Sequence, residues 1–209
     1  MGPGWVPGLT TAAGGGAYIA LVLKRHLIIP PLLAALAACG VVTGDEAPAG
    51  LSRYDGDRFR IDYPSGWSVR EGESGGRPAV QFNGPSRDDG TRSAEVQVID
   101  WGGWRNSLQD KVVQFRGAAP RSGYEIGDEE PVLVPGARAA HRFHYSNEIR
   151  TATGAKIRMR ITETFVLTEK QRLLDVVTRS PEGAAGKDRL ATILGSFAVE
   201  EKDGWFGDR

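Results

Sequence analysis

The chain has 209 residues, with 26 Lys plus Arg against 26 Asp plus Glu and a mean hydropathy of −0.30. So even a balance yields no strong net field, which argues against nucleic acid as a partner and equally against electrostatic adhesion to anionic lipid. Cys39 is the single cysteine, so no disulfide can form within the chain.

The first element reads as an export segment. Lys24, Arg25 and His26 form a positive n-region that stays on the cytoplasmic side, and Leu27 to Ala38 supply an apolar h-region. Those twelve residues, interrupted by Pro30 and Pro31, fall short of the about 20 needed to span a bilayer core as a helix. A processed signal is therefore expected rather than a retained transmembrane anchor. The small residues Ala37 and Ala38 suit a peptidase pocket, and Leu36-Ala37-Ala38-Cys39 resembles the lipobox of bacterial lipoproteins. The resemblance implies cleavage between Ala38 and Cys39, diacylglycerol on the Cys39 thiol, and a further acyl chain such as palmitate on the new amine. It places the protein at the outer face of the cytoplasmic membrane. Each buried methylene contributes about 0.8 kcal/mol and one chain holds marginally, so two or more chains anchor stably. The other reading is a plain secretory signal cleaved nearby. Lipidation accounts better for a cysteine without a partner, which would otherwise be a reactive thiol.

Met1 to Leu21 set a Gly-rich, uncharged stretch ahead of the n-region. A start at Val22 would leave 17 residues before Cys39, an ordinary signal length, and makes the preceding segment a gene-model artefact. Removing residues 1–38 leaves 24 basic against 26 acidic residues, a net charge of about −2. From Gly40 to about Asp57 the run GVVTGDEAPAGLSRYDGD lacks hydrophobic periodicity and reads as a flexible tether. Residues 39–57 are thus expected to carry lipid and tether, 58–200 one folded domain of ordinary size, and 201–209 a tail.

Within that domain the periodicity is mostly that of strands. Phe59, Ile61 and Tyr63 alternate with Arg58, Arg60 and Asp62, Pro64-Ser65-Gly66 turns the chain, and Trp67 and Val69 begin a second strand. Val80 and Phe82 mark a third, residues 83–92 a polar loop, and Ala94 to Trp101 a fourth. Asn106 with Gln109 has capping-box spacing, and Leu108, Val112 and Phe115 share one face of the helix that follows, which Pro120 ends. Further strands are expected at 123–126, 131–134, 137–146, 155–168 and 171–179. In the fourth of these Ile157, Met159, Ile161, Phe165 and Leu167 lie on one face, as in a half-buried antiparallel strand. Ser180-Pro181 signals a last helix, with Leu190, Ile193, Leu194 and Phe197 in helical register.

Phe59-Arg60-Ile61-Asp62-Tyr63-Pro64-Ser65-Gly66-Trp67-Ser68-Val69 resembles the opening of PsbP-like domains, a strand, Tyr-Pro-x-Gly-Trp and a second strand. The closing helix that ends in Gly195-Ser196-Phe197 is similar to their C-terminal end. The resemblance covers about residues 56–200. It implies an α+β fold, an α/β/α sandwich with a central antiparallel sheet and flanking helices. The same fold serves a photosystem II extrinsic subunit, a Ran-binding import factor and many actinobacterial lipoproteins. Arginine outnumbers lysine 20 to 6 and Gly and Ala are abundant, as in a GC-rich actinobacterial genome. Pro64, Gly66 and Trp67 are turn and packing residues, so the motif carries no activity.

Chemistry is then sought residue by residue. His141 and His144 are three apart on a strand, so they point to opposite faces and do not readily share a metal. His141, in register with Ala139, Phe143 and Tyr145, reads as a core or interface histidine, and His144 as solvated. Glu163 interrupts the face of Ile161 and Phe165 and needs a partner if buried, for which His141 and Arg179 are available. Trp101-Gly102-Gly103-Trp104 sets two aromatics around a flexible pair between strand and helix. It is either a binding loop for a protein, sugar or apolar ligand, or packing at the sheet edge. Trp205-Phe206 in the tail is a second contact or disordered. Ser65 and Ser107 lack nucleophile-elbow context, and neither a P-loop nor a dinucleotide fingerprint is present. No catalytic residue, metal or cofactor is expected. The chain reads as a non-enzymatic binding or accessory module for an envelope protein or an apolar or cell-wall ligand, with Trp101, Trp104, His141 and Glu163 as candidate contacts. The alternative is a small envelope hydrolase using Glu163 with His141.

Overall fold

Long antiparallel strands dominate because the apolar residues of this chain recur every second position, and strands so patterned bury one or both faces. The computed structural model describes residues 47–151, 153–184 and 187–202. Cys39 with its lipobox and Trp205-Phe206 lie outside them. In chain order the described elements are β1 (Leu51–Asp55), β2 (Phe59–Pro64), β3 (Ser68–Ser74), β4 (Arg77–Asn83), β5 (Glu95–Gly103) and α1 (Leu108–Ala118). After a 3-10 turn at Ala119–Ser122 come β6 (Glu125–Val132), β7 (Ala137–Arg150), β8 (Lys156–Thr168), β9 (Arg172–Pro181), α2 (Lys187–Ser196) and β10 (Ala198–Val199).

Seven strands form one antiparallel sheet in the order β3-β4-β5-β9-β8-β7-β6, and β1-β2-β10 form a small second sheet. One face of the large sheet meets α2 and the small sheet through Ile61, Phe82, Val98, Val166, Leu174 and Ile193. The opposite face meets α1 through Phe143, Phe165, Leu173 and Val177, with Val112 and Phe115 of the helix. This is the α+β sandwich expected from the sequence: a central antiparallel sheet with a helix on each side.

Several boundaries differ from expectation for identifiable reasons. Leu51–Asp55, read as tether, is strand β1, paired with β2 from Leu51 opposite Pro64 to Asp55 opposite Arg60. Its residues are half-exposed, so their local pattern is weak. The strands expected at 123–126 and 131–134 are one strand, β6, whose register shifts between Ile126 and Glu129. Helix α1 starts one residue late. Its cap is Ser107, whose Oγ accepts from Asp110 N at 3.1 Å while Asp110 Oδ2 accepts from Ser107 N at 2.9 Å. Ser180-Pro181 finishes β9 instead of opening a helix.

Gly136, in the turn between β6 and β7, shows how tightly the small sheet seats. Its φ is +73°, and a Cβ there would lie 2.2 Å from the Val199 carbonyl oxygen of β10. Gly154 has φ +84° in open space. Gly154→Ala therefore meets backbone strain alone, about 1 kcal/mol, whereas Gly136→Ala must also displace β10. Urea unfolding is expected to show Gly136→Ala as the clearly larger loss.

Candidate functional site

The α1 layer gathers most of the residues singled out from sequence. On β8, Glu163 stands opposite Phe143 of β7 and Val177 of β9. On β9, Asp175 stands opposite Phe165 of β8 and Ile99 of β5, which makes it a diagonal neighbour of Glu163 on the same face. Lys111 comes down from α1 at a position flanked by Leu108, Val112 and Phe115 of its apolar stripe. All three charged residues are buried, at 8%, 4% and 6% relative exposure.

Each takes a defined environment. Tyr145 Oη donates to Glu163 Oε2 at 2.5 Å. Lys111 Nζ lies 3.6 Å from the ring centroid of Trp101 and 4.7 Å from that of Phe165, both within cation–π range. Arg77 also stacks on Trp101, at 4.1 Å, and donates to its carbonyl oxygen at 3.0 Å. Trp101 Nε1 and Asp175 Oδ1 are buried without a hydrogen-bond partner among the described residues.

Burial dominates the titration of this group. It pushes the Asp175 carboxyl well above the ordinary carboxylate range, with the neighbouring Glu163 charge adding to the rise. Burial also raises Glu163, against the opposing pull of the Tyr145 hydrogen bond, and lowers Lys111, against the attraction of Asp175. The Tyr145 hydroxyl is pushed far up by burial and by Glu163, so it stays a donor. The arrangement can hold a proton between two carboxyls under a cation. Glu163 and Asp175 lie on the covered face of the sheet, under α1 and its aromatic neighbours.

The two tryptophans belong to this layer as well. Trp101 lies on β5, at a bulge between Asp100 and Gly103 where Gly102 takes φ +79° and its N–H donates to Asp100 Oδ1 at 2.8 Å. Trp104 packs against the same cluster and donates from Nε1 to the Ser107 carbonyl at 3.1 Å, bracing the helix cap. The Gly pair thus ends a strand and is not a free loop.

His141 shares the face of Glu163, but the two do not meet. His141 stands opposite Phe165, its ring 5.0 Å from Phe143, and its Nε2 lies 3.8 Å from Glu129 Oε2. Glu163 turns to Tyr145 instead, and Arg179, the other partner considered for it, pairs with Glu95 at 2.9 Å. The pairing on which the hydrolase reading depends is therefore absent from the described residues. His144 points to the opposite face, with Nδ1 3.0 Å from Thr162 Oγ1, so it is hydrogen-bonded rather than simply solvated. Among the described residues no group of three His, Cys, Asp or Glu side chains is placed to hold a metal ion.

Sequence reasoning missed Asp175, Lys111 and Tyr145. Two of them carried a signal: Asp175 breaks the apolar run from Leu173 to Val177, and Lys111 stands inside the stripe of α1.

The class defined by this geometry is an α+β sandwich with a closed polar cluster under one helix. No family model matches the chain, and no curated protein matches it in sequence. Among solved structures it is similar to PsbP from the cyanobacterium Synechocystis, at 22% identity over 79% of this chain and 99% of that one, with a TM-score of 0.49. It is also similar to the Ran-binding protein Mog1p of Saccharomyces cerevisiae, at 13% identity over 71% and 96%, with a TM-score of 0.44. A third likeness is to LpqN of Mycobacterium tuberculosis, described as involved in cell envelope biogenesis, at 14% identity over 71% and 82%, with a TM-score of 0.37. Each is a likeness of fold.

The raised carboxyls set a pH dependence. Their native pKa values lie above the unfolded values near about 4, so their contribution is complete below about pH 4 and is lost as pH rises through the native values. Asp175→Asn, which keeps the shape and removes the ionisation, is expected to flatten the decline of urea-unfolding free energy as pH rises above about 4. An equal decline in wild type and variant would exclude Asp175 as its source.

Proposed function

We propose that this chain is a non-enzymatic binding or accessory module of the cell envelope. Lipid on Cys39 holds it at the outer face of the cytoplasmic membrane, where it meets a protein partner or an apolar or cell-wall ligand. The observation that carries the binding reading is the division of its side chains. Glu163 and Asp175 are buried under α1, with Glu163 accepting from Tyr145 and Lys111 seated on the Trp101 ring, whereas the open concavity between the small sheet and β4–β5 has an apolar floor.

That cleft has a volume of about 370 Å³, with Phe59, Val80, Val98 and Leu174 in its lining, within the range of about 300–1,000 Å³ typical of ligand sites. Most of its rim charges are already engaged: Arg58 pairs with Asp100 at 3.0 Å and Tyr54 Oη donates to Glu71 at 2.9 Å, while Asp57 makes no side-chain ion pair among the described residues. A lining with an apolar floor and with Arg58 and Glu71 already engaged favours an apolar occupant, because an anionic one would lose water without gaining a free cation.

Anchoring and binding are tested separately. Cys39→Ala is expected to move the chain from the membrane pellet to the soluble fraction and to abolish labelling by alkyne-palmitate. Pelleting without labelling in wild type would refute the lipid anchor. Val80→Glu places a charge on a partly exposed wall of the cleft and is expected to remove the principal partner seen by in-cell crosslinking. An unchanged partner in a folded variant would discard the cleft as the binding face.

A further inference from the structure

The face of the large sheet beneath α2 carries a second constellation, laid out by strand register. Arg142, His144 and Ser146 of β7 stand opposite Thr164, Thr162 and Arg160 of β8, which in turn stand opposite Val176, Thr178 and Ser180 of β9. The two arginines thus flank a central patch of hydroxyls. Leu190, Ala191, Leu194 and Gly195 of α2 line the other side and leave a cavity of about 210 Å³. Its floor is cationic and hydroxylic and its roof is apolar.

The protein's nearest anions lie outside the cavity: the exposed Glu130 of β6 stands opposite Arg142, and Glu182 lies near Arg160. No acidic side chain lines the cavity. Arg142 donates from Nε to Thr164 Oγ1 at 3.3 Å, and among the described residues no carboxylate pairs with it. Arg160 reaches Glu182 at 3.7 Å with both side chains about half exposed, a contact worth little in water. Thr178 and Ser180 are buried, at 2% and 8% exposure. Guanidinium groups present a planar fork that matches phosphate or carboxylate, and anchoring on paired strands reduces the ordering cost of using it. The volume equals about seven waters at about 30 Å³ each, below the range of drug-sized sites. It suits a small head with a short stem.

We propose that this pocket binds the anionic head, phosphate or carboxylate, of a small amphiphile, with the first carbons of its stem against Leu190 and Leu194. The head lies between Arg142 and Arg160 and accepts from the hydroxyls of the floor. Such a head comes either from a soluble compound or from an anionic lipid. The site is separate from the cleft of the small sheet, and its occupancy does not require the lipid on Cys39.

Calorimetric titration of the full chain with hexyl phosphate, inorganic phosphate and hexanol tests the soluble source. Flotation with phosphatidylglycerol or phosphatidylcholine vesicles tests the lipid source, with the Cys39→Ala variant used so that the chain's own anchor does not contribute. Hexyl phosphate is expected to bind more tightly than inorganic phosphate, and hexanol not at all. Arg142→Gln is expected to weaken binding about tenfold or more, and Arg142→Lys, which keeps the charge and loses the fork, to fall between. Gly195→Leu fills the cavity from α2, where an added Cβ meets nothing within 4 Å. It should abolish binding without lowering the thermal midpoint, since leucine is the better helix former. Flotation with phosphatidylglycerol alone, lost in the same variants, assigns the head to lipid. Absence of binding to every anionic probe, or binding that survives both Arg142→Gln and Gly195→Leu in folded protein, overturns the proposal.

Discussion

The register of β7, β8 and β9 is the constraint on which the rest of the molecule depends. Side chains alternate across a sheet, so a one-residue slip between these strands would exchange the layers they serve. Glu163 and Asp175 would then leave the aromatic layer of α1, and Arg142 would be carried toward it. The pairing runs through thirteen matched positions between β7 and β8 and nine between β8 and β9. Because the face toward α1 is strongly apolar and the face toward α2 carries arginines and hydroxyls, a slipped ladder would bury the wrong set. At the sheet's outer strands the opposite composition prevails. β3 carries Arg70, Glu71 and Glu73, and β6 carries Asp128, Glu129, Glu130 and Pro131, the kind of edge that discourages pairing with another chain.

Given that register, the two faces do different physical work. Under α1, aromatic rings pack edge-on and tilted around Phe115, whose centroid lies 4.6 Å from Phe143 and 5.4 Å from Phe165. Into this layer the fold places Lys111, Glu163 and Asp175. Burying charge is costly, and an apolar cluster of the same volume would often be as stable or more so. What the charges supply is position. With Nζ on the Trp101 ring and the carboxyls beneath it, Lys111 allows one rotation of α1 about its axis, which a short stripe of Leu108, Val112 and Phe115 leaves less determined. The capping box at Ser107 and the Trp104 bond to the same residue fix where that helix begins.

The parts legible in the sequence were those written in local periodicity. Alternation located β2, β4, β5, β7, β8 and β9, the three-residue spacing of His141 and His144 put them on opposite faces, and the apolar spacing of Leu190 to Phe197 located α2. Features that depend on long-range pairing were not legible. β1 has little pattern of its own and is a strand because β2 offers it an edge; β10 is two residues long. Glu163 was visible as an interruption, but its partner was not, because the choice between His141 and Tyr145 is made by side-chain direction on a neighbouring strand. Asp175 and Lys111 were visible in the same way, each as a charge in an apolar frame. The Arg142–Arg160 arrangement had no sequence signal: its members are eighteen positions apart and come to one face, on either side of the His144–Thr162 pair, only through the β7–β8 register.

That last arrangement also shows why net charge alone was a poor guide to what the domain can bind. Residues 39–209 are slightly acidic, and at physiological ionic strength the screening length is about 8 Å. Charges farther than that from a pocket contribute little to what it attracts. An anion near α2 meets the nearby guanidiniums of Arg142 and Arg160, not the sum over the surface, and the loosely held Glu182 competes for one of them. β8 therefore presents two electrostatic environments a strand's thickness apart. Glu163 on one face is held toward its protonated form by burial, while the Arg160 side chain on the other is about half exposed to water. A single strand can sustain both because alternation puts the sheet between them, and the face that meets a small anion is the one that has not already neutralised itself.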